Sequence, residues 1–243
     1  MRAFDGDPAA PALQLACAGR LSVHYAPFDA VNEQARVVIV GITPGRTQAA
    51  NALAEARRQL AEGAAPADVL MRAKRFGALS GALRPNLTAM LDRIGLARWL
   101  GLPSCEALFG ASSQLLQTAS VLPFPVFVDG RNYSGAPDIV ATPLLRELLV
   151  EHFVPLVEKL PDAVMIPLGP VPAKAVGWLA GRGFIRPTRL LEGLPHPSGA
   201  NAERIAYFLG RKEAGRLSAA TNAAKLDAAR RLLTEAVSRL PAA

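Results

Sequence analysis

The stretch Val37-Val38-Ile39-Val40-Gly41-Ile42-Thr43-Pro44-Gly45-Arg46-Thr47-Gln48 decides the fold class. Its first four residues are apolar and β-branched without alternation, the pattern of a strand buried on both faces of a parallel sheet. Gly41 ends the run, and the next residues are turn-formers. Ala49 to Glu62 is rich in Ala, Glu, Arg and Leu, a helix by propensity. Buried strand, Gly/Pro loop and helix in that order are the start of an α/β unit.

Reading outward, the same alternation recurs. Pro66 can open a helix through Phe76. Asn86 to Ile94 reads as a helix with Asn86 as its cap, a stripe of Leu87, Met90, Leu91 and Ile94, and Gly95 at its end. Ser113 to Val121 is a strand, and Phe124 to Gly130 is extended and closed by a turn. Thr142-Pro143 opens a helix reaching about Leu160. Ala163 to Ile166 is a second buried strand, ending at Leu168-Gly169-Pro170. Helices are expected at Ala173–Ala180, Asn201–Leu209 and Thr221–Leu240. The expected architecture is α/β: a three-layer α/β/α sandwich with a small, mainly parallel central sheet. One domain spanning 1–243 is expected, with 1–20 loose and 49–75 an insertion.

Composition narrows the function classes. No apolar run approaches the roughly 20 residues of a membrane helix, and the N-terminus lacks a signal-peptide core, so a cytoplasmic protein without a membrane partner is expected. Two distant cysteines, Cys17 and Cys105, read as free thiols and cannot supply a four-thiolate cluster. The three histidines (His24, His152, His196) form no zinc motif, so no metal and no cofactor are expected. Net charge is +7. Eleven Lys/Arg against five Asp/Glu between Val176 and Ala243 put most of that surplus in the last quarter. A basic face suits a polyanion, because each neutralised phosphate releases counterions.

In an open parallel sheet, ligands bind at the carboxyl ends of strands. Gly41 to Gln48 is one Pro/Gly-rich loop at such an end. The second is Pro195-His196-Pro197-Ser198-Gly199-Ala200-Asn201, a His held between prolines ahead of a helix. A phosphate-loop nucleotide site is excluded, since the Lys that must follow the second Gly of a longer loop is missing and Arg46 comes too early.

Gly-x-x-Pro-Gly after an early buried strand, with His-Pro-Ser near the end, resembles the two signature motifs of the uracil-DNA glycosylase superfamily. Arg75-Phe76-Gly77 through Asn86-Leu87, Leu115-Leu116-Gln117-Thr118 and Ala163 to Gly169 are similar to three further stretches of that family, so the likeness spans about 36–210. It implies a monomeric hydrolase that flips uracil, or a related deaminated base, out of single- or double-stranded DNA and cleaves its N-glycosidic bond with water, initiating base excision repair. His196 would donate to uracil O2 as charge develops on the leaving base. Phe76 would stack on the base. Gln117 would read its edge, with Thr118, Ser120 and Asn132 as alternatives. Gly41, Ile42 and Gln48 would line the base site, and Pro44, Gly45, Arg46, Pro197, Ser198 and Asn201 would meet DNA.

One departure stands out. Thr43 occupies the place where many members carry Asp or Asn, and Ile42 the place where others carry Glu. A Thr hydroxyl orients water but supplies no negative charge. Slow catalysis, a carboxylate from elsewhere (Asp129, in Val128-Asp129-Gly130-Arg131-Asn132-Tyr133, unless it merely forms the turn) and a catalytically silent DNA-binding relative are the three accounts that remain open.

Overall fold

The computed structural model describes residues 6–77 and 83–242. The strands are β1 (Gln14–Ala18), β2 (Leu21–His24), β3 (Val37–Gly41), β4 (Leu116–Ser120), β5 (Val126–Val128), β6 (Arg131–Asn132) and β7 (Val164–Pro167). The helices are α1 (Arg46–Ala61), α2 (Pro66–Gly77), α3 (Leu83–Arg93), α4 (Leu96–Trp99), α5 (Pro143–Leu148), α6 (Val154–Lys159), α7 (Pro170–Ala180), α8 (Ala202–Phe208) and α9 (Ala223–Ser238).

The chain is α/β and carries two small sheets. One has the order β4-β3-β7. Within it β3 and β7 run parallel, Val37 opposite Val164 and Val40 opposite Pro167. Val37, Val38, Ile39 and Val40 are fully or almost fully buried, as are Val164, Met165 and Ile166, so the unbroken apolar runs mark strands covered on both faces. The other sheet, β1-β2-β5-β6, is antiparallel throughout. The small parallel sheet expected is present as β4-β3-β7, the antiparallel sheet is an addition to it, and the segment expected to be loose at 1–20 contains β1 and the turn into β2. Short strands of mixed polarity between prolines carry little periodic signal, and it is pairing with β5 that makes β2 a strand.

Two compact units emerge from the contacts, one of 1–31, 41–78 and 118–159 and one of 32–40, 79–117 and 160–243. In the first, α1 and α2 pack on each other. Gly77 makes this close approach feasible, since a Cβ there would meet Gln48 O at 2.9 Å and Ala52 Cβ at 3.2 Å. The helical stretch from Pro143 is interrupted by a π-helical turn, Leu149–Phe153, before α6. Pro155 accounts for it: proline has no N–H to donate, and its ring crowds the carbonyl four residues back. In the second unit Ile39, Val164 and Ile166 join Leu87, Met90, Leu91, Phe208, Leu233 and Val237 in one core. Asn222 caps α9 by accepting from Lys225 N at 2.9 Å.

Candidate functional site

In the second unit the His loop grows directly out of the core. Leu191 donates its N–H to Met165 O of β7 at 2.9 Å, and Leu194 is buried in the main cluster. Pro195 and Pro197 are also buried, which leaves His196 half-buried between two fixed neighbours. The Ser198 N–H donates to His196 Nδ1 at 3.3 Å. An accepting Nδ1 places the ring proton of neutral imidazole on Nε2, so the ring presents a donor outward. Burial lowers the His196 pKa from its ordinary 6.5, which favours that neutral form.

Two further residues hold this loop. Asn86 donates from Nδ2 to Pro197 O at 3.0 Å. It is therefore not the cap expected from the sequence: α3 begins at Leu83, and Asn86 is a helical residue that grips the His loop. Gly169, the residue before α7, has φ +87°, and a Cβ on it would lie 3.5 Å from His196 Cβ. Ser198 makes no side-chain cap; its hydroxyl accepts from Asn201 Nδ2 at 3.4 Å, and Asn201 Oδ1 accepts from Arg204 at 2.7 Å.

In the first unit the loop after β3 is built as a rigid turn. Gly41 and Ile42 accept at their carbonyls from Val121 and Leu122 N–H groups, both at 3.0 Å. Pro44 is buried. Thr43 Oγ1 donates to Phe124 O at 2.7 Å and accepts from Val126 N at 3.1 Å. Its only proton is committed to backbone, so Thr43 staples two segments together. Gln48 Oε1 accepts from Gly45 N at 3.0 Å, closing the start of α1.

Asn132 Oδ1 accepts from Arg46 N at 2.9 Å, and its Nδ2 would lie 3.4 Å from a Cβ on Gly45. The Arg46 guanidinium reaches Asp7 and Gly130 O and lies 4.8 Å from the centre of the Phe127 ring. Asp129 has φ +48° and Gly130 φ +73°, the backbone of a two-residue hairpin turn between β5 and β6. The Asp129 carboxylate accepts from Arg20, which holds its pKa below the usual carboxylate value. A cavity of about 430 Å³ next to this turn is lined by Arg20, Asp129, Arg131, Asn132 and Ser134.

Other candidates are exposed or engaged. Phe76 is 60% exposed near the end of α2, and the rest of its segment, 78–82, is outside the described residues. Gln117 is buried, and its Oε1 accepts from Asn32 N at 2.9 Å. Among the described residues no three His, Cys, Asp or Glu are grouped to hold a metal, and no helix is long and apolar enough to cross a membrane. In the basic last quarter Lys212 pairs with Glu203, Arg230 with Asp227 and Arg239 with Glu235. Among the described residues Arg211, Lys225 and Arg231 have no side-chain carboxylate partner and contribute to the surplus.

Sequence reasoning missed Asn86 as a loop anchor, Gly169 as the floor under His196, and the surroundings of Asp29. Tyr25 Oη donates to Asp29 Oδ2 at 3.0 Å, and buried Lys74 donates from Nζ to Ala30 O at 2.6 Å. The Leu-Gly ending of β7 was a usable signal for Gly169; nothing local in the sequence marks Asn86 or Asp29.

Over 196 residues, 79% of this chain, the sequence is 35% identical to a Bacillus subtilis (strain 168) protein described as uncharacterized protein YoxB, of which the match covers 77%. No family model and no solved structure matches the chain.

Proposed function

The chain belongs to the family of YoxB, and for this member we propose a DNA glycosylase that excises uracil, or a related deaminated base, by hydrolysing the N-glycosidic bond. The observation that carries this reading is the His196 loop. A rigid, half-buried imidazole accepts at Nδ1 from Ser198 N and so offers Nε2–H as a donor. Breaking a base–sugar bond leaves negative charge on the departing base, and a preorganised neutral donor aimed at that charge is worth about 3–4 kcal/mol. The motif order, with Gly41 to Gly45 following β3 and His196-Pro197-Ser198 near the end, adds the resemblance to the glycosylase superfamily. In this reading the finer architecture is the three-layer α/β/α arrangement of that superfamily, and DNA is met by cationic residues of the last quarter, Arg211 among them.

The reaction uses water and the chain's own residues. His196 stabilises the leaving base, and Asn86 and Gly169 contact its loop. Cytoplasmic location and a monomeric state belong to the same proposal. A second reading is a DNA-binding relative without hydrolysis; the observation favouring it is that the Thr43 hydroxyl is consumed by Phe124 O and Val126 N. Incubation with uracil-containing single- and double-stranded oligonucleotides separates the two: abasic product supports the enzyme, and tight binding without product supports the silent relative.

A further inference from the structure

The cavity beside the β5–β6 turn takes no part in the proposed chemistry. Its volume of about 430 Å³ falls within the roughly 300–1,000 Å³ of small-ligand pockets. Resting on the glycosylase reading only for the kind of polyanion involved, we propose that this cavity binds a backbone phosphate of a DNA strand.

The first observation is charge. Arg20 pairs with Asp129, and Arg46 pairs with Asp7 while donating from Nη2 to Gly130 O at 2.9 Å. Arg131 lines the cavity and has no carboxylate in ion-pair distance among the described residues. Three guanidinium groups against two carboxylates leave the turn positive, and the surplus belongs to Arg131. A concave wall with such a surplus concentrates anions, and the planar donors of a guanidinium match phosphate oxygens.

The second observation is the set of uncommitted donors. The Ser134 hydroxyl and the Asn132 amide nitrogen donate no hydrogen bond among the described residues. Arg20 uses Nε and Nη2 on Asp129 Oδ2, which leaves Nη1. Together with Arg131 these are donors on four lining side chains. A phosphodiester, which accepts through its charged oxygens and donates nothing, is their chemical complement. Asp129 lies on the same wall, but Arg20 offsets its charge.

The third observation is position. Except for no lining residue, the whole cavity belongs to the unit that also holds the Gly41–Gly45 loop. Asn132 joins the two. It lines the cavity, its Oδ1 accepts from Arg46 N at the start of α1 at 2.9 Å, and its Nδ2 would lie 3.4 Å from a Cβ on Gly45. A strand that follows this loop has the phosphate-binding wall beside it.

The test is fluorescence anisotropy of a labelled single-stranded oligothymidylate, which contains no uracil, with wild type, Arg131→Gln, Arg131→Lys and Ser134→Tyr over a range of salt concentrations. Both positions are exposed, so the variants should fold, and thermal unfolding checks this. Arg131→Gln is expected to bind about 10-fold more weakly. It should also flatten the slope of log affinity against log salt by about 0.7, the share of one phosphate on a single strand. Arg131→Lys keeps the charge and therefore the slope. Ser134→Tyr fills the cavity without changing charge and should weaken binding by a similar factor. In NMR, the amide shifts of Arg131 and Ser134 should move with thymidine 5′-monophosphate and stay still with thymidine. Affinity within twofold of wild type in both Arg131→Gln and Ser134→Tyr overturns the proposal. A loss in Arg131→Gln alone makes Arg131 a general surface charge and overturns the cavity as the site. Shifts with the monophosphate but unaltered oligonucleotide affinity reassign the cavity to a free nucleotide and overturn the strand. The two readings fail separately. A wild type that excises no uracil, with affinity lost in these variants, sinks the glycosylase and supports the phosphate site; an active wild type with affinity unaltered in them does the reverse.

Discussion

The backbone N–H of Ser198 donates to Nδ1 of His196 at 3.3 Å, two residues away in the same loop. A backbone donor cannot rotate away, so it fixes the tautomer as well as the ring. Ser198 has φ −70°, a value proline adopts. Ser198→Pro removes the N–H without imposing a new φ. The expected outcome is a fall of about 10-fold in excision rate, one hydrogen bond's worth, with oligonucleotide affinity retained; nitrogen-15 NMR of the His196 ring should show the Nε2–H preference weakened.

Gly169 is the second support of the same ring. Its φ of +87° is costly for any side chain, and a Cβ would sit in ordinary contact with His196 Cβ at 3.5 Å. Gly169→Ala should destabilise the protein by about 1–2 kcal/mol, read by urea unfolding. It should lower excision further than the stability loss explains, because the loop moves with it.

Thr43 holds two backbone groups, so its loss is a stability event. Thr43→Val strands Phe124 O and Val126 N and should cost about 1–3 kcal/mol. At a temperature where the variant stays folded, excision within a few-fold of wild type is expected. A loss of 10²-fold there would return Thr43 to the chemistry.

Asp129→Asn should be mild. Asn tolerates the left-handed turn backbone and Asn-Gly favours this hairpin, and the ion pair with exposed Arg20 is worth about 0–1 kcal/mol. Unchanged excision is expected. A large loss would identify Asp129 as the group that activates water.

Lys74 gives a pH dependence of stability. Burial brings its pKa down from 10.5 to about 7 in the folded chain. Between those values the unfolded chain binds the extra proton, so stability rises as pH climbs from about 7 toward 10.5 and levels off below about 7, where both states carry it. Urea unfolding at pH 6, 8 and 10 should show this slope in wild type and a flatter one in Lys74→Met.

Legibility in the sequence followed from how local each cause was. Val37–Val40 and Val164–Ile166 were readable because a strand buried on both faces must be apolar at every position. The Gly41–Gly45 and His196–Ser198 loops were readable because Gly and Pro restrict backbone wherever they occur. The β1–β2 hairpin was not, since its stability comes from pairing with β5, more than a hundred residues on. Asn86 looked like a cap because Asn favours caps, and only the position of Pro197 O shows its work. Gln48 looked like a base contact, but its amide closes the start of α1 on Gly45. The surroundings of Asp29 were silent in sequence because Lys74 and His152 arrive from two distant segments.

The most direct test of the central claim is single-turnover incubation of wild type and His196→Ala with a uracil-containing oligonucleotide, followed by alkaline cleavage at abasic sites. The account predicts abasic product from wild type and a rate lower by about 10²–10³ in His196→Ala, the cost of one donor to the leaving group. An oligonucleotide bound by wild type but left intact, or a His196→Ala rate equal to wild type, would contradict it.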